Sequence, residues 1–241
     1  MCSFEKLSDL ELLESLTLQS SHFTFSGTNE PQEDPFANFS RLKKLQLLHC
    51  SSVSGLPHDY GSYHGFVVSG PQLLYLEIHR SQFGSIEIRA PKLKSFTYWT
   101  DVLPRLLPTD GSKWNLPSLS HAKLNLCRSK GVISCFNAEQ KQVLLKQCVN
   151  LFHGLRDVES LSLHMDTIEL LIQACDSVKH QPSPFRRLKS LSLLYSNGSF
   201  SRVPYQVMRF FLEGSPNVDD KYLTIDKRPR AKARSHTRRD S

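Results

Sequence analysis

Tyr75, Glu77 and His79 alternate along YLEIH, and Thr97 and Trp99 alternate along SFTYW, each separated by residues that suit a buried row. If both stretches are strands, these side chains share one face while their apolar neighbours point the other way. Tyrosine, histidine and tryptophan each join an apolar body to a polar tip, and such residues concentrate binding energy at protein interfaces. Asn125 in HAKLN and His164 in SLSLH fall at the matching position. The candidate partner-binding residues are therefore Tyr75, Glu77, His79, Thr97, Trp99, Asn125 and His164, with Leu48 beside them. A loop lying over the bulky ones would turn them into local core instead. Catalytic chemistry finds no comparable pattern. The chain has no G-x-S-x-G, H-E-x-x-H or Gly-rich phosphate loop. Its six cysteines (Cys2, Cys50, Cys127, Cys135, Cys148, Cys175) form no C-x-x-C pair. No catalytic residue, metal or cofactor is expected, and the chain reads as non-enzymatic.

The elements that must position these residues follow from a recurring spacing. FSRLKKLQLLHC, residues 39–50, matches L-x-x-L-x-L-x-x-N/C, the signature of a leucine-rich repeat. The same apolar-x-x-apolar-x-apolar frame recurs at Leu13-Leu16-Leu18, Leu42-Leu45-Leu47, Leu73-Leu76-Ile78, Leu93-Phe96-Tyr98, Val158-Leu161-Leu163 and Leu188-Leu191-Leu193. A looser copy lies at Leu119-Ala122-Leu124, and Val218 to Ile225 carries a degraded one. One unit cannot bury its own apolar face, so the recurrence implies stacking around a shared core. The expected fold is α/β: a leucine-rich-repeat solenoid with a curved parallel sheet, ribonuclease-inhibitor-like, built from irregular repeats.

The stretches between the frames set the rest. Residues 26–38 and 49–65 are rich in turn formers and read as loops. Ile86-Glu87-Ile88 alternates like an extra short strand, and Pro71 and Pro91 each stand two residues before a frame leucine, at the entrance to a strand and not in its middle. From Asn137 to Leu155 the period becomes helical. Val143, Leu144, Cys148, Leu151, Phe152 and Leu155 form the inward stripe, and Asn137 with Gln140 the N-cap pair. A second helix is expected to start at Asp166, with Glu169 as capping partner and Ile168, Leu171, Cys175 and Val178 facing inward. A third is expected near Val203 to Glu213, ending at Gly214.

Composition agrees with one folded domain over residues 1–226. The chain is 39% hydrophobic and 22% charged, and no run approaches the ~18 apolar residues that a membrane span needs. The N-terminus MCSFEKLSDLELLESL carries acidic residues where a secretory signal would be basic. Reduced, scattered cysteines fit the cytoplasm or nucleus. The charge is uneven. Residues 227–241 hold seven basic side chains against Asp240, so +6 of the formal +7 sits there and the repeat body is near neutral. Lys227, Arg228, Arg230, Lys232 and Arg234 read as the core of a disordered basic tail, suited to nuclear import or to nucleic acid.

FSRLKKLQLLHC, GPQLLYLEIHRSQF, SIEIRAPKLKSFTYW and FLEGSPNVDDKYLTI together resemble the repeat region of plant F-box/LRR-repeat proteins, the group that often closes in an FBD-type segment. The resemblance implies that the repeats hold a protein substrate for an SCF-type ubiquitin ligase. The F-box pattern LPD…LPxxxxxxTSxLSxxW is absent from these residues, so a Skp adaptor and a cullin are expected as partners only if an F-box lies upstream. Two other readings compete with that expectation. One is an F-box-less nuclear scaffold whose tail binds nucleic acid. The other is a small-ligand sensor holding a hormone or an anion within the curved face, for which the face offers only Lys44 and Lys123.

Overall fold

The computed structural model describes residues 12–25, 34–54, 65–83, 85–100, 116–126, 137–173, 181–195, 203–214 and 223–227. Every frame forms a short strand. These are β1 (Ser15–Gln19), β3 (Lys44–Leu48), β6 (Tyr75–His79), β8 (Ser95–Trp99), β9 (His121–Asn125), β10 (Ser160–His164), β11 (Ser190–Tyr195) and β12 (Leu223–Lys227). They make one eight-stranded sheet in that order, parallel at each pairing.

The register follows the frames. Leu16, Leu45, Leu76, Phe96, Ala122, Leu161, Leu191 and Leu223 stand in one row across the sheet. Leu18, Leu47, Ile78, Tyr98, Leu124, Leu163, Leu193 and Ile225 form a second. From Leu45 to Leu193 both rows are buried. Since strand side chains alternate with period two, a slip of one residue would expose a whole row, and this fixes the pairing.

Five of the strands, β3, β6, β8, β9 and β10, are entered through the same turn. Leu42 N–H donates to Phe39 O, Leu73 to Gly70, Leu93 to Ala90, Leu119 to Leu116 and Val158 to Leu155. Pro71, Pro91 and Pro117 occupy the second place of three of these turns, where a fixed φ is an advantage. At Gly70 a side chain has no room, because an added Cβ would come within 2.8 Å of Leu73 Cβ. Next, one carbonyl on each segment accepts two amides from the following one: Glu14 O from Lys43 and Lys44, Lys43 O from Leu74 and Tyr75, Leu74 O from Lys94 and Ser95. The pattern continues at Lys94, Ser120 and Glu159.

The far end of the strands is closed by small side chains. Cys50 and Ser81 both stand three residues past the second ladder position and are buried. The Cys50 thiol points at Leu18 O (3.5 Å) and Leu48 O (3.6 Å), while its N–H donates to Ser81 Oγ (3.0 Å). Ser81 Oγ in turn donates to His79 O at 3.0 Å. Burial pushes the Cys50 thiol up from its ordinary range.

The return segments differ between the two halves. In the first, β2 (His22–Phe25) pairs with β4 (Ser51–Ser54) and β5 (Gly65–Ser69) with β7 (Ser85–Arg89), both parallel. Phe23, Phe36, Phe39 and Phe83 pack against one another there. In the second half the returns carry helices: α1 (Ala138–Gly154), α2 (Met165–Gln173) and α3 (Tyr205–Leu212). Phe152, Phe185, Phe210 and Phe211 form the matching aromatic cluster. Among the described residues no helix is long and apolar enough to cross a membrane.

Several details depart from the sequence reading. Phe36 lies in turns, as read from the sequence, yet is fully buried, and β4 and β5 arise where no strand is expected. In α1 the buried residues Cys148, Leu151 and Phe152 all lie in the C-terminal half, and Leu155 follows the helix end. Val143, assigned to the inward stripe, is 54% exposed. α2 begins at Met165, directly off β10, and Cys175 and Val178 lie outside the described residues. α3 stops at a cap on Glu213, one residue before Gly214. An added Cβ on Gly214 would meet Phe185 O at 2.7 Å. Finally, β12 runs through Lys227, so the first basic residue assigned to the tail closes the sheet, while Arg228, Arg230, Lys232 and Arg234 lie outside the described residues.

Candidate partner-binding face

Opposite the buried rows, the sheet presents its polar face in three further rows. The last row along the strands carries the bulky side chains, with Leu48, His79, Trp99 and Asn125 as successive Cα partners. The His79 and Trp99 rings lie 5.4 Å apart at 40°. Trp99 also stacks on His164, at 6.1 Å and 29°, although β8 and β10 are separated by β9. Asn125 sits on that intervening strand and is only 4% exposed. The stack closes over it, which removes Asn125 from the residues a partner could reach.

Glu77 anchors the other side of His79. Its Oε2 accepts from Gln46 Nε2 at 2.6 Å, and Gln46 Oε1 accepts from Thr17 Oγ1 at 3.0 Å. Glu77 Oε1 lies 2.7 Å from His79 Nε2 but without an aligned hydrogen bond. At the far end, His164 Nδ1 is 3.0 Å from Asp166 Oδ2 and 3.4 Å from the Asp166 backbone nitrogen. One nitrogen does one of these at a time: unprotonated, Nδ1 accepts from the Asp166 amide at the start of α2, and protonated, it donates to the carboxylate. The result is an unbroken chain of side chains across six strands: Thr17, Gln46, Glu77, His79, Trp99, His164.

Tyr75 stands at the opposite end of β6, 49% exposed, with Lys44 and Ser95 as its Cα partners. Thr97, half-buried, lies between Glu77 and Lys123. The fold thus connects Glu77, His79, Trp99 and His164 directly, sets Tyr75 and Thr97 on the same face, and withdraws Asn125. Gln46 and Asp166 are not among the candidate partner-binding residues read from the sequence. Gln46 was legible in principle, since it aligns with Glu77 one repeat earlier, whereas Asp166 needed the position of α2.

Beyond the strands, Lys189 and Arg187 hold the Glu159 carboxylate below the usual range through contacts of 2.9 and 3.0 Å. Among the described residues no group of three or more His, Cys, Asp or Glu is placed to hold a metal ion. The arrangement offers flat aromatic surface, fixed donors and acceptors, and a polar rim, which is the equipment of recognition.

No family model matches the chain, and no solved structure matches it. Two curated proteins of Arabidopsis thaliana do, both named F-box/LRR-repeat proteins. One is 26% identical over 165 residues, 66% of this chain and 33% of the relative. The other is 30% identical over 148 residues, 61% of this chain and 28% of the relative. The chain therefore spans about a third of the length of the curated relatives it matches, and is similar to plant F-box/LRR-repeat proteins over most of its own residues.

Proposed function

We propose that the chain is a leucine-rich-repeat solenoid that acts by binding and not by catalysis, holding a protein partner on the polar face of its sheet. The observation that carries this reading is the His79, Trp99, His164 row of rings laid across β6, β8 and β10, with the Glu77 and Asp166 carboxylates beside its two histidines. Large rigid aromatics on a preorganised face lose little conformational freedom on binding, so they suit the centre of an interface. The likeness to two F-box/LRR-repeat proteins supports an interaction role and, as the finer proposal, substrate recognition for an SCF-type ubiquitin ligase. On that proposal the partners are a substrate on the sheet face, with a Skp adaptor and a cullin reached through an F-box, in the cytoplasm or nucleus.

Affinity capture with the full chain tests the reading. A reproducible partner that is lost with Trp99→Ala, while the circular dichroism spectrum is unchanged, supports it. A partner set indifferent to Trp99→Ala overturns the face as the binding site. Recovery of a Skp adaptor and a cullin from plant cells carrying the full-length gene product supports the ligase role. A partner set that lacks both overturns it.

A further inference from the structure

The polar face is uneven in charge, and the unevenness has a direction. On β1 to β11 the face carries one acidic side chain, Glu77, and it is already engaged by Gln46 and His79, while Glu14 and Glu159, just ahead of β1 and β10, pair with Lys43 and with Lys189 and Arg187. Lys44 and Lys123 make no ion pair among the described residues, and neither does Lys94 at the mouth of β8. Lys44 is exposed and Lys123 half-buried. On β10 and β11 the same face carries only Ser160, Ser162, Ser190 and Ser192 in its first two rows, small hydroxyls with no charge to offer.

Lys44 and Lys123 are three strands and two residues apart, because the row through Lys44 reaches β9 at His121. With about 4.8 Å between strands and about 3.3 Å per residue, their Cα atoms lie roughly 16 Å from each other. An extended peptide covers that span in about five residues. Tyr75 lies next to Lys44, directly on the path, with half its surface open. Glu77, two residues beyond it, has both oxygens occupied and repels any carboxylate placed midway.

We propose that this face binds an extended acidic peptide segment of a partner protein, with two Asp or Glu residues about five positions apart on Lys44 and Lys123 and an uncharged apolar residue between them on Tyr75. The proposal rests on the interaction-module reading and gives its partner a chemistry. Charge pairs at the ends set orientation and the rate of encounter, and the aromatic contact between them supplies desolvated surface.

Selection of random peptides from a phage-displayed library against the full chain tests it, run in parallel with the Lys44→Glu/Lys123→Glu double variant and with Trp99→Ala. The double variant keeps the basic tail, so it separates the face from residues 227–241. The expected result is enrichment of peptides with two acidic residues three to six positions apart around an apolar one, binding the double variant about tenfold more weakly or worse. Acidic enrichment that persists in the double variant belongs to the tail and overturns the proposal. Peptides without acidic enrichment that are nevertheless lost with Trp99→Ala also overturn it, and leave the interaction module standing. Enrichment no better than with the unfolded chain overturns both. Retention of the native circular dichroism spectrum by the double variant, expected because both lysines lie outside the core, validates the comparison.

Discussion

Trp99 and His164 are stacked 6.1 Å apart at 29°, across a strand that belongs to neither of them. Tyr98, the residue before Trp99, points the opposite way and is fully buried. The two neighbours should therefore respond differently to truncation. Trp99→Ala is expected to cost about 1 kcal/mol, the scale of a lost aromatic pair. Tyr98→Ala should cost about 3–5 kcal/mol, as for other large core aromatics. Urea unfolding of both variants measures the difference. Equal losses would place Trp99 in the core.

Tyr98 also carries a polar atom into an apolar row. Its hydroxyl has no well-aligned hydrogen bond, Thr100 being its polar neighbour, and burial pushes its ionisation far above the ordinary tyrosine range. Tyr98→Phe should leave stability unchanged or raise it by up to about 1 kcal/mol. The pH dependence has a definite sign. The folded pKa is raised, so the folded protein keeps a proton that the unfolded chain loses above about pH 10. Stability is full below that value and falls as pH rises through it, and the fall should be shallower in Tyr98→Phe. Thermal melts between neutral and alkaline pH will show whether it is.

Cys50 is expected to resist a thiol reagent until the chain opens, since its sulfur is buried and its thiolate disfavoured. Cys50→Ala should cost roughly 1 kcal/mol by deleting a donor aimed at Leu18 O and Leu48 O. Reagent kinetics before and after denaturation are the measurement, and rapid labelling of the native chain at this position would contradict the packing.

Glu159 lies at the opposite sign of the pH scale. Lys189 and Arg187 lower its carboxyl, so the contribution of this exposed cluster is present above the ordinary carboxylate range and is lost as pH falls below it. NMR titration of the Glu159 carboxyl should find that the displacement shrinks as salt is added, because the contacts are open to solvent. Insensitivity to salt would require a buried pair.

Truncation after Lys227 keeps all of β12 and removes six of the seven basic residues at the end of the chain. Partner capture should survive this cut, and binding to a polyanion such as heparin, if the full chain shows it, should weaken steeply with salt and disappear. Loss of the protein partner on truncation would move the binding site away from the sheet.

The parallel sheet was legible because a period of two inside a frame of fixed length is a strong physical constraint. Leu45, Leu76, Leu161 and Leu191 had to share a row, since each leaves an apolar side chain exposed unless its neighbour in the next segment is aligned with it. The same parity puts Glu77, His79, Trp99 and His164 on the opposite face. What parity does not encode is reach. Asn125 satisfies the pattern yet is covered, because a tryptophan and a histidine are long enough to meet over a narrow strand. Return segments were less legible for a related reason. Phe36 lies in a loop as expected and is nevertheless buried, and Val143, read as part of the inward stripe, is exposed, because local composition does not say where the core ends.

The carbonyls of Glu14, Lys43, Leu74, Lys94, Ser120 and Glu159 each take two amides from the segment that follows, whatever lies between. The step from one such carbonyl to the next ranges from 20 positions (74 to 94) to 39 (120 to 159). Such a seam is indifferent to how far the polypeptide wanders before it comes back. Insertions and deletions can accumulate behind the sheet without shifting any side chain on its front, so relatives of very different length can keep superimposable faces.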